Sequence, residues 1–129
     1  MILLDTHVVV WMSLEPARLS KRARTAIRDT FAKDRLGISA ISLWELAWLA
    51  QNGRIQVTGT IEAFVRGCVS KLVVLPITPE IAARAVGLTS SYPKDPQDRL
   101  IGATAIIEGL PLVTADEEIQ RSSEVETIW

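Results

Sequence analysis

Short runs of apolar residues alternate along this sequence with longer segments of helical periodicity. Met1–Leu4 is apolar at every position, and a run this short predicts a strand buried on both faces. Comparable runs begin at Leu36, Leu72 and Leu112. Strands separated by helices are typical of parallel sheets, because each helix carries the chain back to the edge where the next strand begins. The sequence therefore predicts a three-layer α/β/α fold with a central, mainly parallel sheet of about four or five strands.

Caps and helix breakers delimit the predicted helices. Apolar residues recur at Leu19, Ala23, Ile27 and Phe31, so we expect an amphipathic helix that begins after Ser20 and ends near Asp34. Further helices are expected from Ser42 to Asn52-Gly53, from Thr60 to about Lys71, from Thr78-Pro79 to Leu88, from Asp95-Pro96 to Gly109, and after Asp116. The segment Val125–Ile128 predicts an edge strand.

The composition limits the chemistry that the chain can perform. Among 129 residues there is one cysteine, Cys68, and one histidine, His7. This excludes a disulfide framework and a zinc cluster, and a Ser-His-Asp or Cys-His site would depend on His7. With 48% hydrophobic and 22% charged residues, we expect residues 1–129 to form one domain. Catalysis then depends mainly on the 15 Asp and Glu residues.

The start of the chain indicates a cytoplasmic protein with no membrane partner. Met1–Leu4 meets Asp5 without a preceding basic segment, which is unlike a secretory signal. No apolar run approaches the roughly 18 residues of a membrane span.

Charge is unevenly distributed. The formal net charge is −1, but between Ala17 and Arg35 there are seven basic and two acidic residues, a local charge of +5. This segment is either a solvated helix face or a contact for nucleic-acid phosphates.

Four acidic residues follow strands or begin helices of the predicted sheet. Asp5 ends the first strand, Glu45 and Asp98 lie in the first turns of their helices, and Asp116 follows the strand at Leu112-Val113. The carboxyl ends of parallel strands and the starts of the following helices share one edge, which is the usual ligand edge of such sheets. We therefore expect these carboxylates to converge.

Each carboxylate also has a purely structural interpretation. Ser42 and Glu45 have the spacing of a capping box, and Asp95, Asp98 and Asp116 suit helix starts. Convergence of all the acids would nevertheless cost a few kcal/mol per close pair. A hard divalent cation bound by oxygen ligands would relieve this repulsion, which favours Mg²⁺, with Mn²⁺ as a substitute, and hydrolysis of a phosphodiester.

Four acidic segments occur in order: Leu3-Leu4-Asp5-Thr6-His7, Ser42-Leu43-Trp44-Glu45-Leu46-Ala47, Asp95-Pro96-Gln97-Asp98-Arg99-Leu100-Ile101 and Leu112-Val113-Thr114-Ala115-Asp116. In order and spacing they resemble the motifs of PIN-domain ribonucleases, most closely the VapC-type toxins of bacterial toxin–antitoxin pairs. The resemblance covers nearly the whole chain. It implies a PIN-like fold, Mg²⁺-dependent endonuclease activity on RNA, a homodimer, and neutralisation by a small antitoxin within a larger toxin–antitoxin assembly.

The resemblance also implies roles for individual residues. Asp5, Glu45, Asp98 and Asp116 would form the catalytic set, with Asp5, Asp98 and Asp116 as metal ligands. Supporting roles fall to Thr6 and Thr114, whose hydroxyls would hold water or phosphate, and to Arg99, which would brace the turn together with Asp95.

Two features have alternative interpretations. His7 is either a residue of the first helical turn after Asp5 or a catalytic base. Trp44 and Trp48 stand four residues apart and form one ridge of a helix, which is either part of the core or an exposed apolar patch suited to an antitoxin helix, with Trp11 as a third member.

Other functional classes are also compatible with an acidic site on a parallel sheet. A receiver-type phosphoacceptor domain needs an acid at the end of a central strand, whereas Val74-Leu75-Pro76-Ile77 has none. A non-catalytic binding domain would use the same acids only as helix caps.

Overall fold

A computed structural model describes residues 1–129, in which five strands alternate with seven helices. The strands are β1 (Ile2–Leu4), β2 (Leu36–Ser39), β3 (Leu72–Leu75), β4 (Leu112–Val113) and β5 (Thr127–Ile128). The helices are α1 (Thr6–Leu14), α2 (Lys21–Lys33), α3 (Ile41–Gln51), α4 (Ile61–Val69), α5 (Pro79–Gly87), α6 (Pro96–Glu108) and α7 (Glu117–Arg121). A short 3₁₀ turn, Pro16–Arg18, joins α1 to α2.

The strands form one parallel sheet with the order β3-β2-β1-β4-β5. β1 lies at its centre, where Ile2 pairs with Leu36 of β2 and Leu3 pairs with Leu112 of β4. Because every strand points the same way, all the carboxyl ends lie at one edge. The predicted fold class is confirmed. The edge strand expected at Val125–Ile128 is present as β5, which pairs with β4 in parallel.

Apolar side chains cover both faces of the sheet. On one face, Val8 and Val9 of α1 and Ile27 of α2 pack against Leu4 and Ile38. On the other face, Leu3 and Leu112 contact side chains of α6 and α7, among them Ile101 and Ile119. Two helical layers therefore enclose the sheet, as expected for strands buried on both faces. None of the helices combines the length and apolar character needed to cross a membrane.

Local capping explains most of the helix boundaries. The hydroxyls of Ser20, Thr60 and Thr78 accept hydrogen bonds from backbone N–H groups three residues later, which satisfies donors that the first helical turn leaves free. At the end of α6, Gly109 adopts a left-handed conformation with φ of 66°, where a side chain would be strained. These boundaries agree with the sequence prediction.

The structure corrects the expected start of α3. This helix begins at Ile41, and Ala40 precedes it without a side-chain cap. Ser42 lies inside the first turn and is fully buried, so the predicted capping box of Ser42 and Glu45 is wrong. The hydroxyl of Ser42 instead lies 2.9 Å from the hydroxyl of Thr6 on α1. A tertiary contact thus replaces the local one.

Helix α2 is amphipathic, but its apolar stripe is shorter than predicted. Ala23 and Ile27 are buried, whereas Phe31 is 50% exposed. Its basic residues lie on the solvated face: Lys21, Arg22, Arg24, Arg28 and Lys33 are all exposed. This exposure is compatible with both interpretations of the basic segment, a solvated helix face and a contact for phosphates.

Candidate active site

Asp5 lies at the carboxyl end of the central strand and begins helix α1. Its side chain is buried, with 4% of the residue exposed. One carboxylate oxygen accepts a hydrogen bond from the Thr6 N–H at 2.8 Å, and the other accepts one from the Thr114 hydroxyl at 2.8 Å. Four lone-pair sites are available on a carboxylate, so these two bonds orient Asp5 and leave acceptor capacity for a ligand.

Glu45 approaches Asp5 from helix α3. The Thr6 hydroxyl donates to Glu45 Oε1 at 2.6 Å. Burial raises the pKa of Glu45; the Thr6 hydrogen bond opposes this shift, while the negative charges of Asp5 and Asp95 reinforce it. Thr6 therefore connects the first two acidic segments, because its backbone N–H binds Asp5 and its side chain binds Glu45.

Asp98 lies in the first turn of α6, where the capping function is performed by a different residue. Asp95 is the N-cap, and its side chain accepts from the Gln97 N–H at 3.0 Å. The Asp98 carboxylate accepts no hydrogen bond from the protein and pairs with no basic side chain. Burial raises the pKa of Asp98 to about 7, and the charges of Asp5, Asp95, Asp116 and Glu45 add to the effect. Asp98 is thus a half-buried acid without a partner.

Asp116 is the N-cap of α7. Its Oδ1 accepts hydrogen bonds from the N–H groups of Glu118 at 2.8 Å and Ile119 at 3.2 Å, while Oδ2 accepts none. The Asp116 N–H in turn donates to the Thr114 hydroxyl at 3.1 Å. Since that hydroxyl donates to Asp5, Thr114 couples the first and last acidic segments.

His7 occupies the first turn of α1 and reaches the last acidic segment. Its Nε2 accepts a hydrogen bond from the Ala115 N–H at 2.9 Å, and its Nδ1 lies 3.7 Å from Asp5 Oδ2. A lone pair engaged by a backbone amide is unavailable to remove a proton from another group. This geometry favours the structural interpretation of His7 over the catalytic base.

Tyr92 is a positioning residue that the sequence did not reveal. It is 1% exposed, and its hydroxyl donates to the backbone carbonyl of Asp98 at 3.1 Å. Burial raises the pKa of the Tyr92 hydroxyl, and the charges of Asp5, Asp98 and Asp116 raise it further. Tyr92 is the only tyrosine in the chain and stands six residues before Asp98, but nothing local indicates that its side chain turns back onto α6.

Arg99 braces the loop that leads into α6. Its guanidinium donates to the carbonyl oxygens of Ala85 at 3.0 Å, Pro93 at 3.2 Å and Tyr92 at 3.5 Å, and also to that of Leu88. A planar cation with five donors can bind several carbonyls at once. Arg99 therefore ties the start of α6, which carries Asp98, to the preceding helix and loop, in addition to the bond from the Tyr92 hydroxyl to the Asp98 carbonyl.

The tryptophan ridge of α3 is exposed beside the carboxylates. Trp44 is 52% exposed and Trp48 is 43% exposed. Together with Glu45, Asp95 and Gln97 they line a cavity of about 380 Å³ between α3 and the start of α6. Trp11 lies on α1, where its ring is tilted by 56° against that of His7 at a centroid distance of 4.9 Å, and it does not line this cavity, so it is not a third member of the ridge.

The charge of the site determines what it can bind. The four acids interact through their charges, yet no Lys or Arg forms a salt bridge with any of them, and only His7 comes near Asp5. No three of these side chains are close enough to form a closed metal cage. This open set of oxygen donors fits Mg²⁺, which keeps several waters and takes only one or two carboxylates with substrate phosphate. It does not fit a fully dehydrated structural ion.

The sequence and the fold were compared with known proteins. A family model described as PIN domain matches residues 2–125. The curated protein Ribonuclease VapC22 of Mycobacterium tuberculosis is 45% identical over 130 residues, which cover 99% of this chain and 98% of that protein. Both comparisons agree with the resemblance carried by the four acidic segments.

Solved structures show the same fold at low sequence identity. A DNA-bound VapBC from Salmonella typhimurium has a TM-score of 0.75 and 23% identity, covering 98% of this chain and 97% of its own. VapBC2 from Rickettsia felis, bound to a promoter DNA fragment, has a TM-score of 0.72 and 18% identity with the same coverage. The match of the family model, the full-length relative and the shared fold together show that this chain belongs to the PIN domain family.

Proposed function

We propose that this chain is a metal-dependent endoribonuclease that hydrolyses RNA phosphodiester bonds as the toxin of a toxin–antitoxin pair, with residues 1–129 acting as one PIN domain. The observation that supports it best is Asp98, an unpartnered carboxylate whose pKa is raised to about 7 by burial and by the neighbouring acids. Such a carboxylate is available to bind a metal cation, because no Lys or Arg side chain pairs with it. The relative named as a ribonuclease, 45% identical over nearly its full length, supports the reaction class.

The proposed principal metal ligands are Asp5 and Asp98, with Asp116 completing the set directly or through water. Asp5 is oriented by Thr6 and Thr114, Asp116 retains an Oδ2 free of hydrogen bonds, and Asp98 is free at both oxygens. Bound Mg²⁺, or Mn²⁺ in its place, would neutralise the carboxylates and supply Lewis acidity toward a phosphate oxygen. Family membership leaves the receiver-type alternative without support.

Glu45 is proposed to handle the proton of the attacking water. Its Oε1 accepts from Thr6, which leaves Oε2 to receive the proton as the water oxygen bonds to phosphorus. The phosphorus–oxygen bond to the leaving sugar breaks, and the leaving oxygen takes up a proton from solvent. The raised pKa of Glu45 favours proton uptake, because a base closer to neutrality is a better proton acceptor. Thr6, which binds Asp5 and Glu45, and Thr114, which binds Asp5, keep these carboxylates in position during the proton transfer.

RNA cleavage by variants of this chain tests the proposal. We expect cleavage with Mg²⁺ and none with a chelator, and a loss of at least about 100-fold in Asp5→Asn and Asp98→Asn, comparable to removing a metal ligand. Glu108→Gln is the matched control, since Glu108 is exposed at the other end of α6. Undiminished cleavage in either aspartate variant would contradict the metal assignment. Sequencing the 5′ ends of cellular RNA after brief expression of the wild type and Asp5→Asn would identify the cleaved RNAs.

We also propose a small antitoxin as partner, a homodimer as the basic assembly, and the cytoplasm as the site of action, since the substrate is cellular RNA. The neighbours in the fold comparison include VapBC complexes, and the exposed ridge of Trp44 and Trp48 offers an apolar surface beside the acidic site. Light scattering of the purified chain at several concentrations tests the dimer. A mass that stays monomeric throughout would contradict it.

A further inference from the structure

A second cavity lies between α1 and α3 and adjoins the acidic site. It measures about 480 Å³, which is within the range of small-ligand pockets. His7 lines one end of it and is also 3.7 Å from Asp5 through Nδ1. This cavity, referred to below as the α1–α3 pocket, is therefore separated from Asp5 by the His7 side chain.

The α1–α3 pocket presents a flat cation whose orientation is fixed. The Arg18 guanidinium lies over the Trp11 ring, 4.1 Å from its centroid, and donates to Glu15 at 3.0 Å. Its side chain nevertheless remains 57% exposed. Trp11 is itself held between His7 and Trp129, at centroid distances of 4.9 and 5.9 Å. A guanidinium held on one face by an aromatic ring leaves its other face available for stacking.

A second arginine at the pocket has no partner. Arg54 is exposed, follows the end of α3, and forms no salt bridge with any acidic side chain. Apolar side chains complete the lining, among them Val10, Leu49 and Ile55. The only acid in the lining, Glu15, is paired with Arg18. The pocket thus combines a free cation at Arg54, an oriented guanidinium plane at Arg18 and apolar side chains.

We propose that the α1–α3 pocket binds one nucleotide of single-stranded RNA that flanks the scissile phosphate, with its base stacked on Arg18 and its phosphate paired with Arg54. The inference rests on the proposed ribonuclease activity and deepens it by naming a substrate subsite. Unpaired bases of RNA stack on arginine planes and aromatic rings, and arginine is well suited to phosphate. An acidic peptide would also pair with the two arginines. It would gain nothing from the planar guanidinium of Arg18 that Trp11 orients, because it carries no base to stack on it.

The pocket also explains one part of the basic segment between Ala17 and Arg35. Of its seven basic residues, Arg18 is the only one that lines the α1–α3 pocket. The others lie on α2 or just after it and are exposed to solvent. The proposed subsite therefore uses Arg18 from this segment and Arg54 from outside it.

Binding of a fluorescent single-stranded RNA oligonucleotide tests this subsite in the Asp98→Asn background, which should not cleave it. We expect Arg54→Ala to weaken RNA binding about tenfold. The slope of the logarithm of the binding constant against the logarithm of salt concentration should also decrease by about one, as for the loss of one phosphate contact. Arg54→Lys should recover most of this loss, because it keeps the charge.

Arg18→Ala and Arg18→Lys should both weaken single-strand binding about tenfold, since lysine lacks the planar group, and should leave duplex binding unchanged.

Arg66→Ala is the matched control, because Arg66 is exposed on α4 and pairs with Glu62 at 3.2 Å. In otherwise wild-type enzyme, Arg54→Ala should raise KM with little change in kcat. The subsite is wrong if Arg18→Ala and Arg54→Ala bind RNA as Arg66→Ala does, or if they lose only binding to an antitoxin peptide. Failure of the ribonuclease proposal is distinguished separately, by the absence of Mg²⁺-dependent RNA cleavage in the wild type.

Discussion

Individual carboxylates of the site differ in what the protein provides for them. Asp116 receives two backbone N–H groups at the start of α7 and Asp5 receives two donors, whereas Asp98 receives none. Hydrogen bonds to a carboxylate stabilise its charged form. The electrostatic cost of bringing the acids together therefore falls mainly on Asp98. Burial and the neighbouring negative charges raise the pKa of Asp98 to about 7.

Asp98→Asn should raise the stability of the metal-free protein. The amide removes a charge that is half-buried among other carboxylates and breaks no hydrogen bond of the native state. Thermal unfolding in chelator should show a higher Tm for Asp98→Asn than for the wild type. Asp116→Ala is the contrasting variant, because it removes the side-chain cap of α7 and should cost about 0.5–2 kcal/mol. A clear fall in the Tm of Asp98→Asn would indicate that Asp98 serves as a helix-stabilising residue.

The raised pKa of Asp98 predicts a pH dependence of stability in the absence of metal. Between its ordinary value of 3.8 and about 7, the folded state binds more protons at Asp98 than the unfolded state does. Stability must therefore fall as pH rises through this window. Denaturant unfolding in chelator at pH 5 and pH 8 should show a larger loss in the wild type than in Asp98→Asn. Equal losses in the two proteins would contradict the prediction.

At the scale of elements, the start of α6 is held by close packing as well as by hydrogen bonds. A Cβ on Gly102 would lie 2.2 Å from the Tyr92 hydroxyl oxygen and 2.6 Å from the ring carbon that bears it. Tyr92 is fully buried and cannot move aside. The absence of a side chain at position 102 thus allows Tyr92 to reach the Asp98 carbonyl.

Gly102→Ala should destabilise the fold by about 1–3 kcal/mol, as overpacking does, and should also reduce cleavage by displacing Asp98. Gly67→Ala provides the comparison, since Gly67 lies inside α4 with nothing within 4 Å of the added carbon. That change should stabilise the protein by about 0.5–1 kcal/mol through helix propensity. Denaturant unfolding of both variants measures the difference, and similar effects of the same sign would contradict it.

At the scale of the whole molecule, the fold assembles one site from segments far apart in sequence. Thr114 and Asp5 are hydrogen-bonded across 109 positions, and Thr6 and Glu45 across 39. The sheet order places β1 between β2 and β4, so the ends of these strands become neighbours. Binding of an ion at this junction should therefore be coupled to global stability.

Mg²⁺ should stabilise the whole chain against unfolding. A ligand that binds only the folded state adds about 2.7 kcal/mol at a concentration of 100 times its Kd. The Tm of the wild type should rise with Mg²⁺ concentration, whereas the Tm of Asp5→Asn should respond much less. Isothermal titration provides an independent readout. The metal proposal fails if neither Tm nor heat responds to millimolar Mg²⁺ or Mn²⁺.

Sequence alone determined the order of the elements, most helix boundaries and the four segments that carry the acids. These features depend on side-chain periodicity and on hydrogen bonds between residues two or three positions apart, as at Ser20, Thr60 and Asp95. Such interactions depend on the local sequence alone unless a tertiary contact competes with them. The parallel sheet was predicted from the alternation of short apolar runs with longer segments of helical periodicity.

Only the tertiary structure decided which carboxylates are satisfied and which one is left without a partner. Glu45 had the spacing of a local capping box, yet it bonds Thr6 on another helix. Tyr92 and the α1–α3 pocket gave no local signal. The physical reason is that donors and cations distant in sequence compete with the local ones, and the outcome depends on how the helices pack against the sheet.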